Sequence, residues 1–191
     1  MINQYFHAEK YIQKISSGAS QMLNYVLPHR CIVTGDIISS ATGLSPKAWS
    51  ELTFIGQPLC KCCGVPFAFE VEEGDGEYQH CTQCIDTPPF YSRARSALRY
   101  DDASRPLLLG FKHGDKTYMA INFAEWIKQA GHEILEETDI IAPVPLHWSR
   151  LLKRRFNQSM LLASRLSRTT GIPCSPEVLK RVKATAPQGY K

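Results

Sequence analysis

At 191 residues, 43% hydrophobic and 21% charged, the chain has the composition of a soluble globular protein rather than a disordered or fibrous one, and is long enough for one ordinary domain plus a small module. No apolar stretch approaches the roughly 20 residues a membrane helix needs, and Asn3, Gln4, His7, Glu9 and Lys10 leave no apolar core for a signal peptide; no membrane association is expected, and the cytoplasm is the default location. Net charge is +4, and Arg150, Lys153, Arg154 and Arg155 alone supply as much, so the basicity is local and suits an anion site more than a surface that coats nucleic acid.

Residues 1–30 read as one amphipathic helix. Ile12, Ile15, Ala19, Met22, Leu23 and Val26 recur at helical spacing, and Pro28 supplies the stop. The polar face carries too few lysines or arginines for a membrane-surface helix, so a helix docked on the body of the protein is expected. From Cys31 to Trp49 the chain is turn-rich, with Gly35, Asp36, Ser39, Ser40, Gly43, Ser45 and Pro46, and reads as irregular.

The strongest local signal follows. Cys60-Lys-Cys-Cys63 and Cys81-Thr-Gln-Cys84 are two C-x2-C pairs separated by 17 residues. Each pair sits on a tight turn that aims two sulfurs at one ion, and four thiolates complete a tetrahedron with no open position, so the expected metal is a structural zinc held by Cys60, Cys63, Cys81 and Cys84. Gly64 permits the positive φ with which such a turn closes. A disulfide pair is the competing reading, disfavoured where thiols stay reduced. Cys62 could compete for the ion, and Cys174 is read as a bystander. Glu70, Glu72, Glu73, Asp75 and Glu77 form an acidic hairpin tip whose expected role is solvation.

Pro88-Pro89 marks a boundary. Beyond it, Ser96–Tyr100 reads as a strand and Arg105–Gly110 as a short helical turn leading into a charged loop, Phe111-Lys-His-Gly-Asp-Lys116, which is a place for phosphate contacts or simply a charged surface turn. Met119, Phe123, Trp126, Ile127 and Ala130 fall at helical spacing with Gly131 as terminator. Ile140-Ile-Ala142 is a buried strand closed by Pro143 and Pro145, because proline cannot donate to a sheet ladder. A basic loop with Arg150, Lys153, Arg154 and Arg155 comes next, and a helix from Asn157 to about Thr170 ends at Gly171 and Pro173. Val178–Val182 reads as a further strand or a turn. A strand end, a basic loop and a helix start is where α/β folds place anions, since backbone N–H groups and the helix dipole aim at one spot. A merely solvated basic face is the competing reading.

Pro143-Val-Pro-Leu-His147 followed by Arg154-Arg-Phe-Asn-Gln158 resembles the signature of the ComF (competence protein F) family. The resemblance covers most of the chain from about Cys31 onward and implies a small cysteine zinc module joined to a type I phosphoribosyltransferase-like domain. The expected architecture is therefore α/β: residues 1–30 a helix, 31–88 a zinc module, and 89–191 the N-terminal part of a phosphoribosyltransferase-like parallel sheet. The resemblance also implies a link to competence, DNA uptake or nucleotide metabolism, with Lys112, Arg150, Arg154, Arg155, Asn157 and Gln158 lining the pyrophosphate or phosphate side of a site for phosphoribosyl pyrophosphate or a nucleotide. Family members often carry two further cysteine pairs near the start; here those positions hold Cys31 with Thr34, and Ser45 with Ala48, so no metal is expected there and Cys31 reads as a small buried hydrophobe.

Type I phosphoribosyltransferases hold the substrate's ribose on adjacent acids after a hydrophobic strand and its 5′-phosphate on a Thr/Gly-rich loop. The sole Asp-Asp pair here, Asp101-Asp102, is followed by Ala-Ser-Arg-Pro106 and no such loop. The chain is expected to be a C-terminally truncated domain without transferase activity, binding Mg with phosphoribosyl pyrophosphate only in a complete domain. A sheet lacking its later strands would expose an edge and an apolar face, so marginal stability is expected. The alternatives are a zinc-containing module for single-stranded DNA, working with DNA-processing proteins and stacking bases on Trp148 and Phe156, and an inactive remnant.

Overall fold

A computed structural model describes residues 28, 30, 31, 33–38, 44–67, 80–113, 116–154 and 156–185, which fall into two compact units, Met1–Glu51 and Leu52–Lys191. The expected helix over residues 1–30 and the acidic tip from Glu70 to Glu77 lie outside the described residues.

In the first unit a turn at Cys31–Gly35 leads to helix α1, Pro46–Glu51. The reading of this stretch as irregular is corrected: proline suits a first helical turn, and Lys47, Ala48 and Glu51 are good helix formers. Ala48 and Ser45 are buried with Cys31.

The second unit carries helix α2, Thr82–Asp86, beside the cysteines, and then a helical body. Helix α3 runs over Ser104–His113, longer than the short turn expected over Arg105–Gly110. Its N-terminus explains the length. The Ser104 N–H donates to Asp101 Oδ1 at 2.9 Å and the Asp101 N–H donates to Ser104 Oγ at 3.0 Å, a reciprocal cap of the capping-box kind. The backbone N–H of Ser104 in that cap holds the Asp101 carboxyl below its ordinary value. Asp101 is thus a structural acid. Residues 111–113, assigned to a loop by their charge, form the last turn of α3, because Phe111 is drawn into the core.

A 3-10 turn at Thr117–Met119 opens helix α4, Ala120–Ala130, and Gly131 caps it as expected. A one-turn helix α5 follows at His132–Leu135. Helix α4 packs against helix α7, Gln158–Thr170, burying Ala120, Phe123, Ala124 and Trp126 from one and Ala163 and Leu166 from the other. Three edge-on or tilted ring pairs run through this core: Phe111 to Phe123 at 5.1 Å, Phe123 to Trp126 at 5.4 Å and Trp126 to Phe54 at 5.3 Å between centroids. They join three separate stretches of chain around α4.

The expected strands are present only as single pairs. Leu98 bridges Phe54 antiparallel, Ile141 bridges Cys174 parallel, and among the described residues no pairing extends into a strand. Ser96–Tyr100 and Ile140–Ala142 pair only at Leu98 and Ile141; Pro173, next to the partner of Ile141, has no N–H with which to extend that ladder. Val178–Val182 forms no bridge. No helix of the described residues is long and apolar enough to cross a membrane.

Candidate functional site

The metal centre is built on two short turns. The Cys60 N–H donates to Val65 O at 2.9 Å and the Gly64 N–H donates back to Cys60 O at 2.9 Å, so the chain reverses within five residues and turns Cys60 and Cys63 toward one point. Gly64 has the φ of +72° that this reversal requires. The second pair sits at the start of α2: the Cys84 N–H donates to Cys81 O, and the Cys81 N–H donates to Cys60 Sγ at 3.3 Å. The sulfurs of Cys60, Cys63, Cys81 and Cys84 all lie within 4.8 Å of one another, with Cys63 and Cys81 at 3.6 Å. A zinc tetrahedron with bonds of about 2.3 Å has edges of about 3.8 Å, so the donor set fits.

The electrostatics suit a cation when all four groups are thiolates. Burial pushes the Cys63 and Cys84 thiols up, and at Cys84 the neighbouring sulfurs add to it. At Cys60 burial is outweighed by N–H donors from Cys81, Cys63 and Cys62, which bring it down to about 6. Four thiolates this close repel unless a metal lies between them. Cys62 stands outside the cluster, its thiol directed at Tyr91 O at 3.9 Å, which resolves the ambiguity among the three neighbouring cysteines.

Residues 91–95 strap the first turn. The Ala94 N–H donates to Cys62 O at 2.7 Å and Arg95 Nη1 donates to Lys61 O at 3.1 Å. The strap continues into ion pairs of Arg95 with Glu133 and of Arg93 with Glu137, tying the centre to α5 and the turn after it. Composition and spacing gave no sign of these pairs, whose partners lie about 40 positions apart in sequence. A Cβ at Gly64 would stand 2.5 Å from Ala94 O. Gly64→Ala is therefore expected to combine left-handed strain of about 1–2 kcal/mol with displacement of the strap. Chelator competition should show weakened zinc retention, whereas Gly35→Ala, with open space around its Cβ, should leave retention unchanged.

The second constellation is the start of α7. Asn157 is its N-cap, accepting from the Ser159 N–H at 3.0 Å, while Asn157 Nδ2 donates to Val144 O at 3.0 Å. Ser159 Oγ, which sequence reasoning missed, accepts from the Val144 N–H at 2.9 Å. Gln158 Nε2 donates to Lys112 O at 2.7 Å. One turn thus holds the loop after Ile141 and the end of α3 together, and the side chains of Asn157 and Gln158 are engaged in doing so. Asn157→Ala should lower stability by about 1 kcal/mol as a lost cap, read as an earlier urea midpoint.

The segment expected to be a basic loop is helix α6, Trp148–Arg154. His147 starts it: its carbonyl accepts from the Arg150 N–H at 2.9 Å, and its ring Nδ1 lies 2.8 Å from Ser149 Oγ. The run has no glycine or proline after Pro145, and Leu, Lys and Arg are good helix formers, so the charges ride on a helix. Arg150 donates to Thr185 O and Arg181 to Thr185 Oγ1. Among the described residues neither arginine nor Lys112 has an acidic partner. Arg155 lies outside the described residues, and of Arg154 only the backbone is described.

Comparison with known proteins follows the same division. Residues 22–91 match the Double zinc ribbon domain family. The chain is 27% identical over 173 residues to Competence protein F of Haemophilus influenzae, covering 87% of this chain and 71% of that protein. It is 28% identical over 146 residues to the DNA utilization protein YhgH of Escherichia coli, covering 74% of this chain and 61% of the relative, and 30% identical over 137 residues to YhgH of Salmonella typhimurium, covering 69% and 57%. It thus spans 57–71% of the length of these relatives. No solved structure matches it. The ribbon match and the clustered cysteines together support a structural zinc, and with the similarity to proteins of the competence and DNA-utilization type they support assigning the chain to the ComF family.

Proposed function

We propose that this protein acts in the uptake or use of DNA, as the names of its relatives suggest, and that its helical body offers an anion site for a nucleotide phosphate or for phosphoribosyl pyrophosphate. The observation that carries the reading is the α7 turn. Gln158 and Asn157 draw Lys112 and the loop after Ile141 to the N-terminus of a 13-residue helix, and Arg150 on the preceding basic helix has no acidic partner among the described residues. A helix N-terminus flanked by unpaired cations favours a phosphate. Lys112, Arg150, Arg154 and Arg155 supply charge, while Asn157 and Gln158 position the backbone.

The parallel bridge between Ile141 and Cys174, on either side of α6 and α7, supports reading residues 89–191 as part of a phosphoribosyltransferase-like parallel sheet after a zinc module at 31–88. Because the one Asp-Asp pair of these 191 residues, Asp101-Asp102, is followed by no Thr/Gly loop, binding without transfer is the expected behaviour, and Mg would serve only with a complete substrate loop. Isothermal titration of the purified protein with phosphoribosyl pyrophosphate should give saturable binding that Arg150→Glu weakens about tenfold or more, equivalent to about 1.4 kcal/mol. No binding, or pyrophosphate release, would overturn this reading.

A second reading, a single-stranded DNA module, is favoured by Trp148, whose side chain is 67% exposed with the His147 ring 5.5 Å away. Binding to oligothymidylate that falls steeply with salt, together with indifference to phosphoribosyl pyrophosphate, would select it.

A further inference from the structure

The turn that carries Cys60 and Cys63 has a counterpart earlier in the chain. In the metal centre the Cys60 N–H donates to Val65 O at 2.9 Å, the Gly64 N–H to Cys60 O at 2.9 Å, and Leu59 bridges Pro66. In the first unit the Cys31 N–H donates to Asp36 O at 2.7 Å, the Gly35 N–H to Cys31 O at 2.9 Å, and Arg30 bridges Ile37. Each bond sits at the same offset from its cysteine, and the two glycines have φ of +77° and +72°.

The second halves agree as well. The Ser45 N–H donates to Cys31 Sγ at 3.2 Å, as the Cys81 N–H does to Cys60 Sγ at 3.3 Å. A short helix follows each, with Ala48 standing where the other has Cys84, three residues on. Residues 30–51 are thus a second ribbon turn, inside the stretch that matches a double zinc ribbon.

The family match implies a metal here, and the residues do not fit one. Of the four positions, Cys31 alone offers a thiol; Thr34 and Ser45 offer hydroxyls and Ala48 a methyl. The hydroxyls are already joined. The Ala48 N–H donates to Ser45 Oγ at 3.2 Å, Ser45 Oγ lies 3.2 Å from Thr34 Oγ1, and Thr34 Oγ1 donates to Asp36 Oδ2 at 2.5 Å. Cys31 Sγ accepts from the N–H groups of both Thr34 and Ser45. This chain of hydrogen bonds links the two half-turns, and the Ala48 side chain is buried.

We propose that residues 30–51 form a zinc ribbon without zinc, in which the Asp36–Thr34–Ser45–Ala48 hydrogen-bond chain and Cys31 take the place of the ion, so that the protein carries one zinc per chain and this unit folds independently of metal. The inference does not depend on what the helical body binds. Burial raises the Cys31 thiol, but hydrogen bonds from Ser45 and Thr34 outweigh it and bring it down to about 6, with the Ser45 N–H at the position from which the Cys81 N–H meets Cys60 Sγ.

The test is metal counting on the purified, zinc-replete protein by inductively coupled plasma mass spectrometry. The expected result is one zinc per chain, unchanged in Cys31→Ala. Two zinc ions per chain, or loss of zinc in Cys31→Ala, would overturn the proposal. Hydrogen exchange after chelation gives a second readout that needs no variant. Amides of Gly35, Ser45 and Ala48 should keep their protection while those of Gly64 and Cys81 lose it; equal loss in both turns would count against a metal-independent unit. Finally, T34C/S45C/A48C should rebuild the site and raise the count to two, with doubled thiolate–cobalt absorption in the cobalt form. A folded variant that still holds one ion would show that the two backbones are not equivalent.

Discussion

Cys60→Ser should abolish zinc binding and, with it, the order of residues 59–66 and 80–95. Cys60 is fully buried, its sulfur receives the Cys81 N–H that links the two halves of the centre, and its carbonyl closes the Gly64 turn. A hydroxyl is a poor zinc ligand, and three remaining thiolates leave the ion exchangeable. In small zinc modules on the order of 10 kcal/mol of metal-binding free energy is coupled to folding. The loss should therefore pass beyond the ligands to the strap, releasing Arg93 and Arg95 from Glu137 and Glu133. Zinc per chain and hydrogen exchange at Ala94 report the two consequences separately. Full zinc retention in Cys60→Ser would mean that Cys62 can replace it, and Cys60→Ser/Cys62→Ser would then be needed to strip the ion. Wild type treated with chelator should match the single variant, and acidification should release zinc too, because protons compete for the thiolates.

The second large effect is expected at Phe123. Its ring sits between Phe111 and Trp126, and Trp126 in turn meets Phe54, so it is an inner link of a ring chain that joins α3, α4 and the segment after the first unit. It is buried, as is its neighbour Met119. Phe123→Ala should cost about 3–5 kcal/mol, the range for emptying a ring-sized volume in a packed core. For a small domain that is a large part of total stability. A urea titration followed by tryptophan fluorescence should show an earlier midpoint, with zinc content unaffected while the protein is folded. Ile127→Ala on the exposed side of the same helix should shift the midpoint far less, since its side chain is partly in water already.

The metal centre was legible in the chain itself because its chemistry is local. Two C-x2-C pairs and a glycine prescribe two turns, and each turn aims its sulfurs without help from distant residues; the spacing identified the four cysteines that meet. Helices α4 and α7 were legible for a similar reason, since apolar period, Asn157 and the terminal glycines are read within one element. The first ribbon turn also left a trace, in the shared Cys-x3-Gly of Cys31–Gly35 and Cys60–Gly64, but without its thiols that trace carried no chemistry and the stretch read as irregular.

What only the tertiary structure decided are the matters that depend on residues far apart in the chain. Whether Ile140–Ala142 extends a ladder depends on what runs beside it, and its partner Cys174 follows Pro173, which has no N–H with which to extend that ladder. The basic segment forms helix α6 rather than a loop, because its leucines, lysine and arginines are good helix formers whatever their charge. The resemblance implies that Asn157 and Gln158 line the phosphate side of a site; the fold shows in addition that their amides donate to Val144 O and Lys112 O, because a half-buried amide satisfies its donors on the nearest carbonyls the fold presents. The sequence determined which residues have the chemistry for zinc and for an anion. The fold decided which of them are occupied in holding the molecule together, since a hydrogen bond between positions 46 residues apart, such as Gln158 to Lys112, exists only once the chain has closed.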